Sequence, residues 1–588
     1  MCGIAAILRQ DRCVTEDEIR AMTDALSHRG PDGEGVWVHE HVGLGHRRLS
    51  IIDPKGGTQP MCNEDETIWI TFNGEIYNFR ELRSVLLGKG HIFKTASDTE
   101  VVIHAYEEWG KQCTEKFRGM FAFCIVDEKE KIFFLARDHF GIKPLYYFQW
   151  GECFACASEL QALKTLDEFP SALDLTALDQ YLWLQYIPSP QTIFKRVKKL
   201  PPAHRMSVTF DGKIDGPELY WDKTFSSEEG RTESQWLEEL DAVLRDSIKA
   251  HLIADVPFGA FLSGGVDSST VVAYMSALLD HPVKTFTIGF EETDYSELPF
   301  AKTAATCMST QHHEEIVRCD TLAILPALVS HYGEPFGDSS AIPTYFVSKL
   351  AREHVPMVLS GDGGDEALGG YQSYIHWMEQ PQLQTMERWI SLMQYLPRDW
   401  RMKLWRAEYR HVVQERLNIF DEAFARAAFF DPLQKVQYID RHTYLPNAIL
   451  TKVDIASMAH GLEVRTPFLD TRVWDVISHI PEHLNMRQSA DGTWEGKLLL
   501  KKLMERWYPP DLVHRRKTGF GVPLAKWFSE GGAYRIPLEE RLLDRSSPLA
   551  DYFETSVIRE LIQMNFTGPL WLLLFLDEWL RQYKTEIQ

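Results

Sequence analysis

Near residue 233 the chain changes its hydrophobic rhythm, and that change dictates two architectures on one polypeptide. Before it, short apolar runs alternate with turns: "VGLGHRRLSIID", "ETIWITFNGEIYN", "GMFAFCIVDEKEKIFFLARD" and "KPLYYFQW". Period-two alternation with few helical stretches, chiefly residues 16–26 and 98–109, predicts an α+β sandwich of antiparallel sheets under a few helices. Pro188, Pro190, Pro201 and Pro202 punctuate a connecting region, and "SVTFDGKI" reads as a closing hairpin on its Asp-Gly turn. Beyond it come a helical "ESQWLEELDAVLRDSIKAHL", a strand "VPFGAFL", a glycine turn and a second helix. Strand "VKTFTIGF", helix "LPFAKTAATCM" and strand "PMVLSGDGG" follow. Alternating β and α predicts an α/β domain with a parallel sheet, followed by a mostly helical C-terminal part. At 588 residues the chain exceeds one core, and the expected domains are 2–213 and 233–585.

Charge and cysteine content narrow the function classes. With 84 acidic and 62 basic residues the net charge is −22, which disfavours nucleic acid and anionic membranes as general partners. Nine cysteines in so long a chain do not make a disulfide framework, and the first ten residues carry no long apolar run. The expected location is cytoplasmic, with reduced thiols. Cys153-Phe-Ala-Cys156 has redox or metal spacing, yet no second pair completes a zinc site, so a structural role in a strand is expected. "PLWLLLFLDEW" meets Asp577 and Glu578 well short of a membrane span and reads as a buried helix. His312 and His313 read as surface or loop residues.

The opening "MCGIAAILRQ" places a cysteine where removal of the initiator methionine makes it N-terminal. The α-amine of such a residue has a pKa of about 8, so it can take the thiol's proton near neutral pH. Read alone, those ten residues favour Cys2 as a small apolar residue in a first strand over a nucleophile.

Two glycine-rich turns follow predicted strands. Ser263-Gly264-Gly265-Val266-Asp267-Ser268-Ser269 runs from strand into helix, where close backbone N–H groups and the helix N-terminus attract an anion. Asp267 would repel a phosphate unless a cation lies between them, which points to Mg²⁺. The string lacks G-x-x-x-x-G-K-[ST] and resembles the pyrophosphate-binding loop of the ATP pyrophosphatases. Ser360-Gly361-Asp362-Gly363-Gly364-Asp365-Glu366 is the second turn, with three acids suited to Mg²⁺ and general-base work. Arg515, Arg516 and Lys517 in "HRRKTGFG" could neutralise a leaving pyrophosphate.

Over nearly its whole length the chain resembles the glutamine-hydrolysing asparagine synthetases. "MCGIAAI", "HRGPD", "GHRRLSIID", "FNGEIYN" and "ASDTE" are similar to a class II glutamine amidotransferase domain of the Ntn type. "SGGVDSS", "TFTIGF", "SGDGGDEALGGY" and "LEVRTPFLD" are similar to the synthetase domain. The resemblance implies Cys2 as nucleophile on the glutamine amide, with Asn73 and Gly74 as oxyanion donors. It implies a glutamine pocket of Arg48, Leu49, Ser50, Ile51, Ile52, Asn73, Gly74, Glu75 and Asp98. ATP falls to Leu262, Ser263, Gly264, Gly265, Asp267, Ser268, Ile288, Ser360 and Gly361, Mg²⁺ to Asp267 and Asp365, and the reacting phosphates to Lys517. The implied reaction forms an acyl-adenylate, whose AMP is displaced by ammonia arriving through an internal channel. Asp362 stands where the best-known members carry glutamate, and Gly364 where they carry serine. That departure leaves the acceptor open between aspartate, the leading reading, and another carboxylate such as a uronic acid of surface polysaccharide or a secondary metabolite. Intact Cys2, Arg48, Asn73 and Asp98 argue against a glutaminase-dead cyclase. A homodimer is one assembly open to the chain.

Overall fold

The computed structural model describes residues 1–489, 492–515, 519 and 521–587. Two six-stranded antiparallel sheets come first. Strands β1 (Gly3–Arg9), β2 (Gly33–His39), β3 (Val42–Arg48), β8 (Tyr146–Trp150), β9 (Cys153–Ala157) and β10 (Val197–Lys199) form one, in the order β10-β8-β9-β1-β3-β2. The other comprises β4 (Met61–Cys62), β5 (Ile68–Ile76), β6 (Gly119–Asp127), β7 (Ile132–Arg137), β11 (His204–Thr209) and β12 (Ile214–Leu219). Its order is β12-β11-β7-β6-β5-β4.

Period-two side-chain alternation explains how the sheets stack. Ile4, Ala6 and Leu8 of β1 meet Ala122, Cys124 and Val126 of β6 between the sheets. Ala5 and Ile7 point the other way, toward Ile19 and Met22 of helix Glu16–Asp24. β1 is therefore buried on both faces and apolar throughout its middle. The same alternation separates Cys153 from Cys156: the latter lies between the sheets, the former on the helix side, and both are free thiols. The hairpin β11–β12 closes the second sheet around Asp211-Gly212, with Gly212 at φ +83°.

Helix Glu233–His251 leads into a five-stranded parallel sheet. Its strands are β13 (Phe258–Phe261), β14 (Lys284–Phe290), β15 (Gln311–Val317), β16 (Met357–Leu359) and β17 (Glu463–Arg465), ordered β15-β14-β13-β16-β17. His312 and His313 lie on β15, not in a loop. There Thr285 Oγ1 meets His312 Nδ1 at 3.0 Å, and the His313 ring stacks on Phe286 at 5.4 Å. Polar residues flanking them hid the strand: β15 is an edge strand whose residues are exposed or half-buried on both faces up to Val317, so no apolar alternation marks it.

The C-terminal part is helical and ends in helix Thr567–Ile587. Within it Leu570, Leu572, Leu573, Leu576 and Leu580 are fully buried, each contributing about 1.5–3 kcal/mol by leaving water. Trp571 Nε1 donates to Gly337 O at 3.0 Å, and Tyr181 OH donates to Leu572 O at 2.8 Å. The helix thus grips both parts of the chain. Among the described residues no helix is long and apolar enough to cross a membrane.

Candidate functional site

Strand register brings the first site together. Gly3 pairs with Arg47 across β1 and β3, so Cys2 emerges beside Arg48. The Cys2 N–H donates to Asn73 Oδ1 at 2.9 Å, and Arg29 Nε donates to Cys2 O at 3.0 Å. Asn73 spends its oxygen on that bond, and its Nδ2 is left buried and without a partner. A buried donor left open costs about 1–3 kcal/mol, which a substrate oxygen would recover. Gly74 follows on β5, where a Cβ would stand 2.1 Å from Met120 O; only glycine lets β5 and β6 approach this closely.

The loop after β3 wraps the Arg48 guanidinium. Its Nη1 donates to Pro54 O at 2.9 Å and its Nη2 to Asp53 O at 2.7 Å and Ile52 O at 3.3 Å. A Cβ on Gly57 would lie 2.5 Å from Nη2, so glycine is what admits the side chain. Arginine's five donors leave part of the fork available to a carboxylate. Opposite stands Asp98, first residue of helix Asp98–Trp109, whose N-cap is Ser97. Its Oδ2 accepts from Ile76 N at 2.9 Å.

Cys2, Arg48, Leu49, Ile51, Ile52, Gly74, Glu75 and Asp98 line one cavity. Asn73 adjoins it through Cys2, whereas Ser50 faces away and donates its N–H to Asp32 at 2.8 Å. The sequence reading missed seven further lining residues: Met1, Gly57, Gln59, Phe72, Ser97, Thr99 and Glu463.

Burial sets the electrostatics. It lifts the Cys2 thiol, an effect that the adjacent ammonium opposes. It raises Asp98 to about 6 against the pull of the Ile76 N–H, and pushes Glu75 well above the carboxylate range although Arg465 stands 3.2 Å away. It also lowers His46 to about 3, so this imidazole is neutral, with Nε2 3.2 Å from Phe72 O. A pocket holding carboxylates that resist ionisation, with Arg48 across from them, suits a zwitterionic amino acid.

The second site lies at the carboxyl ends of β13, β14 and β16, where open parallel sheets bind ligands. Leu262 follows β13, with its N–H on Phe286 O at 3.0 Å, and Ile288 lies on neighbouring β14. Ser263 Oγ meets Ser268 Oγ at 3.0 Å and accepts from Gly265 N at 3.2 Å, which shapes the turn into helix Val266–Leu278. Gly264 adopts φ +71°, a conformation glycine takes freely. The two glycine turns touch: a Cβ on Gly361 would lie 2.7 Å from Ser268 N, and one on Gly364 2.6 Å from Asp267 Oδ1. Ser360 Oγ donates to Asp362.

Asp267 and Asp365, 98 residues apart in sequence, converge on one cation. Lys497 Nζ contacts Asp267 and lies 2.6 Å from Asp365. Burial works against this ammonium, but the two carboxylates outweigh it and hold its pKa at about 12. Lys497 also sits at φ +58°, a strained conformation for lysine. It was missed in the sequence because "TWEGKLLLKK" reads as a helix start. Hard oxygen donors that gather positive charge fit Mg²⁺. Arg515 Nε donates to Gly264 O at 3.3 Å, beside the first turn. Arg516 and Lys517 lie outside the described residues.

Among the described residues His91, His104 and Glu107 also place ligand atoms within 4.8 Å of one another. Burial disfavours the His104 cation, yet Glu100 and Glu107 raise its pKa to about 9, so the group reads as an ion-paired imidazolium rather than a metal centre.

A further cavity lies where the two parts meet, walled by Ile142 and Lys143 from the first and by Leu450, Val453, Asp454, Ser457, Val464 and Thr466 from the second. Met1 lines both this cavity and the one at Cys2.

Two families match successive stretches of the chain. The glutamine amidotransferase domain family matches residues 1–221, and the asparagine synthase family matches residues 239–581. Asparagine synthetase [glutamine-hydrolyzing] 1 of Bacillus subtilis is 36% identical over 90% of this chain and 88% of its own. A putative asparagine synthetase [glutamine-hydrolyzing] of Mycobacterium tuberculosis is 32% identical over 90% and 89%. The asparagine synthetase [glutamine-hydrolyzing] of Zea mays is 31% identical over 88% and 77%. The chain belongs to the family of glutamine-hydrolysing asparagine synthetases and is a glutamine-dependent amidotransferase of that type.

Proposed function

We propose that the chain converts aspartate, glutamine, ATP and water into asparagine, glutamate, AMP and pyrophosphate. The glutaminase half would be 2–213 and the synthetase half 233–585. One observation carries the reading: the buried, unpartnered Asn73 Nδ2 on the residue that accepts the Cys2 N–H, next to the cavity that Cys2, Arg48 and Asp98 line.

Arg48 takes the α-carboxylate of glutamine, and Asp98 with Glu75 takes its ammonium. With Met1 removed, the Cys2 amine accepts the thiol proton while sulfur attacks the side-chain carbonyl. Asn73 Nδ2 and Gly74 N–H receive the oxyanion, a kind of contact worth about 2.7–4 kcal/mol elsewhere. The amine returns its proton to the departing ammonia, and water then releases glutamate from the thioester. In the synthetase half the acceptor carboxylate attacks the α-phosphorus of ATP, and pyrophosphate leaves. The turns at Ser263 and Ser360 cradle the nucleotide, and Lys497, Arg515 and Lys517 offset the phosphate charge. Asp267 and Asp365 would hold Mg²⁺, which neutralises phosphate oxygens when bound. Ammonia displaces AMP from the acyl-adenylate near Asp362. The cavity beyond Met1, where Ile142, Leu450, Val453 and Val464 stand beside Lys143, Asp454, Ser457 and Thr466, is a candidate segment of the ammonia path.

The test is pyrophosphate release with Mg-ATP and glutamine, comparing aspartate, no acceptor and uronic acids, alongside Cys2→Ala. Aspartate-dependent pyrophosphate with matching asparagine is expected. Cys2→Ala should lose glutamine-dependent amidation and keep use of free ammonia. Response to a uronic acid alone would keep both sites and change the acceptor, as the shorter Asp362 would then explain.

A further inference from the structure

Glu463 comes from β17 in the second part of the chain, yet it lines the cavity of Cys2, Arg48 and Asp98. Its Oε2 accepts from the Met1 ammonium at 2.8 Å, and the side chains of both residues are 0% exposed. Its Oε1 accepts from Arg465 Nε at 2.7 Å. Arg465 is anchored in turn, donating to His251 O at 2.8 Å and Ile253 O at 2.7 Å. Glu75 adds a carboxylate 3.2 Å from Arg465, with its Oε2 buried and unpartnered. The motif "LEVRTPFLD" that carries both residues has no role in the chemistry above.

We propose that Glu463 is the counter-charge of the amine that begins the chain, first that of Met1 and then that of Cys2, and so a positioning residue that the synthetase half supplies to the glutaminase site. The proposal rests on the reading of Cys2 as nucleophile. A carboxylate held beside an amine stabilises the ammonium and disfavours a nearby thiolate. The groups facing this point are Arg29, His46, Arg48, Glu75, Tyr77, Asp98 and Lys143 from the glutaminase side, and Asp454, Glu463 and Arg465 from the other. Glu463 is the acid that stays ionised: burial opposes it, but the ammonium and Arg465 hold its pKa at about 2. Glu75 and Asp98, pushed upward, cannot match it.

The backbone of β17 ties this charge to the nucleotide turn. Glu463 pairs with Met357 on β16, and Ser360 N–H donates to Arg465 O at 2.8 Å. One three-residue strand therefore presents its side chains to one site and its backbone to the other.

The experiment is alkylation of Cys2 by iodoacetamide in the full chain, read by mass spectrometry of the N-terminal peptide across a pH series. In Glu463→Gln the midpoint should fall by about one pH unit or more, because the like charge next to the thiolate is gone. Glu463→Asp should give a smaller shift in the same direction. Removing one member of a buried pair can prevent folding. If Glu463→Gln does not fold, Glu463→Asp carries the test. A midpoint unchanged in the folded variant overturns the proposal. Alkylation needs no turnover, so failure of the parent to hydrolyse glutamine would overturn the functional reading and leave this result standing.

Discussion

Asp98 offers a prediction in which stability and function move in opposite directions. The residue is 4% exposed, and burial raises its pKa from 3.8 to about 6. Between those two values the native state binds more protons than the unfolded chain, so stability falls as pH rises through that window. Above pH 6 the empty site carries a cost of about 3 kcal/mol, at 1.36 kcal/mol per pH unit. Asp98→Asn removes the charge and keeps the shape, and its amide oxygen can still accept from Ile76 N–H. At pH 7.5 the variant should melt higher, by about 2–4 °C per kcal/mol recovered. It should also bind glutamine about 10–150-fold more weakly, having lost a charged hydrogen bond worth about 1.5–3 kcal/mol. In the parent, glutamine affinity should weaken as pH falls through about 6, by up to tenfold per pH unit; in the variant that dependence should vanish. Thermal denaturation at several pH values and steady-state glutaminase kinetics read both arms. A variant that melts lower than the parent at pH 7.5, or binds glutamine normally, refutes the reasoning.

Lys497→Met should cut pyrophosphate release by about two orders of magnitude or more, by analogy with loss of one preorganised charge contact. Lys497→Arg should retain part of it, and unchanged release by the methionine variant would remove Lys497 from the reaction. Arg48→Lys should raise KM for glutamine by about tenfold or more with less change in kcat, since a lysine cannot meet the Ile52, Asp53 and Pro54 carbonyls and a substrate carboxylate together. Glutaminase kinetics at saturating and limiting glutamine separate those terms.

What the sequence made legible is local. Helix Asp98–Trp109 has the predicted bounds, because Ser97 caps it and its apolar residues repeat at helical spacing. The strand-turn-helix at Ser263 was readable for the same reason: glycines and small hydroxyls at a strand end permit little else. What escaped notice depends on contacts far apart in the chain. Lys497 meets Asp267 across 230 positions, and Met1 meets Glu463 across 462. No periodicity encodes such pairs: the first exists only once the second part has folded, the other only once the parallel sheet has docked on the sandwich. The orphaned Asn73 Nδ2 is likewise invisible in "FNGEIYN", since it follows from which amide atom the Cys2 N–H takes.

The buried bond between Met1 and Glu463 also imposes an order on biosynthesis. At roughly 5–20 residues per second, a ribosome adds Glu463 about 20–90 s after Met1. During that interval the start of the chain is accessible to an aminopeptidase; afterwards β17 closes over it, and Met1 is buried with its amine on Glu463. Trimming of the initiator is therefore a race against translation. Slowing the peptidase, or hastening elongation, should trap a fraction of chains with methionine sealed inside, folded and permanently without an N-terminal cysteine.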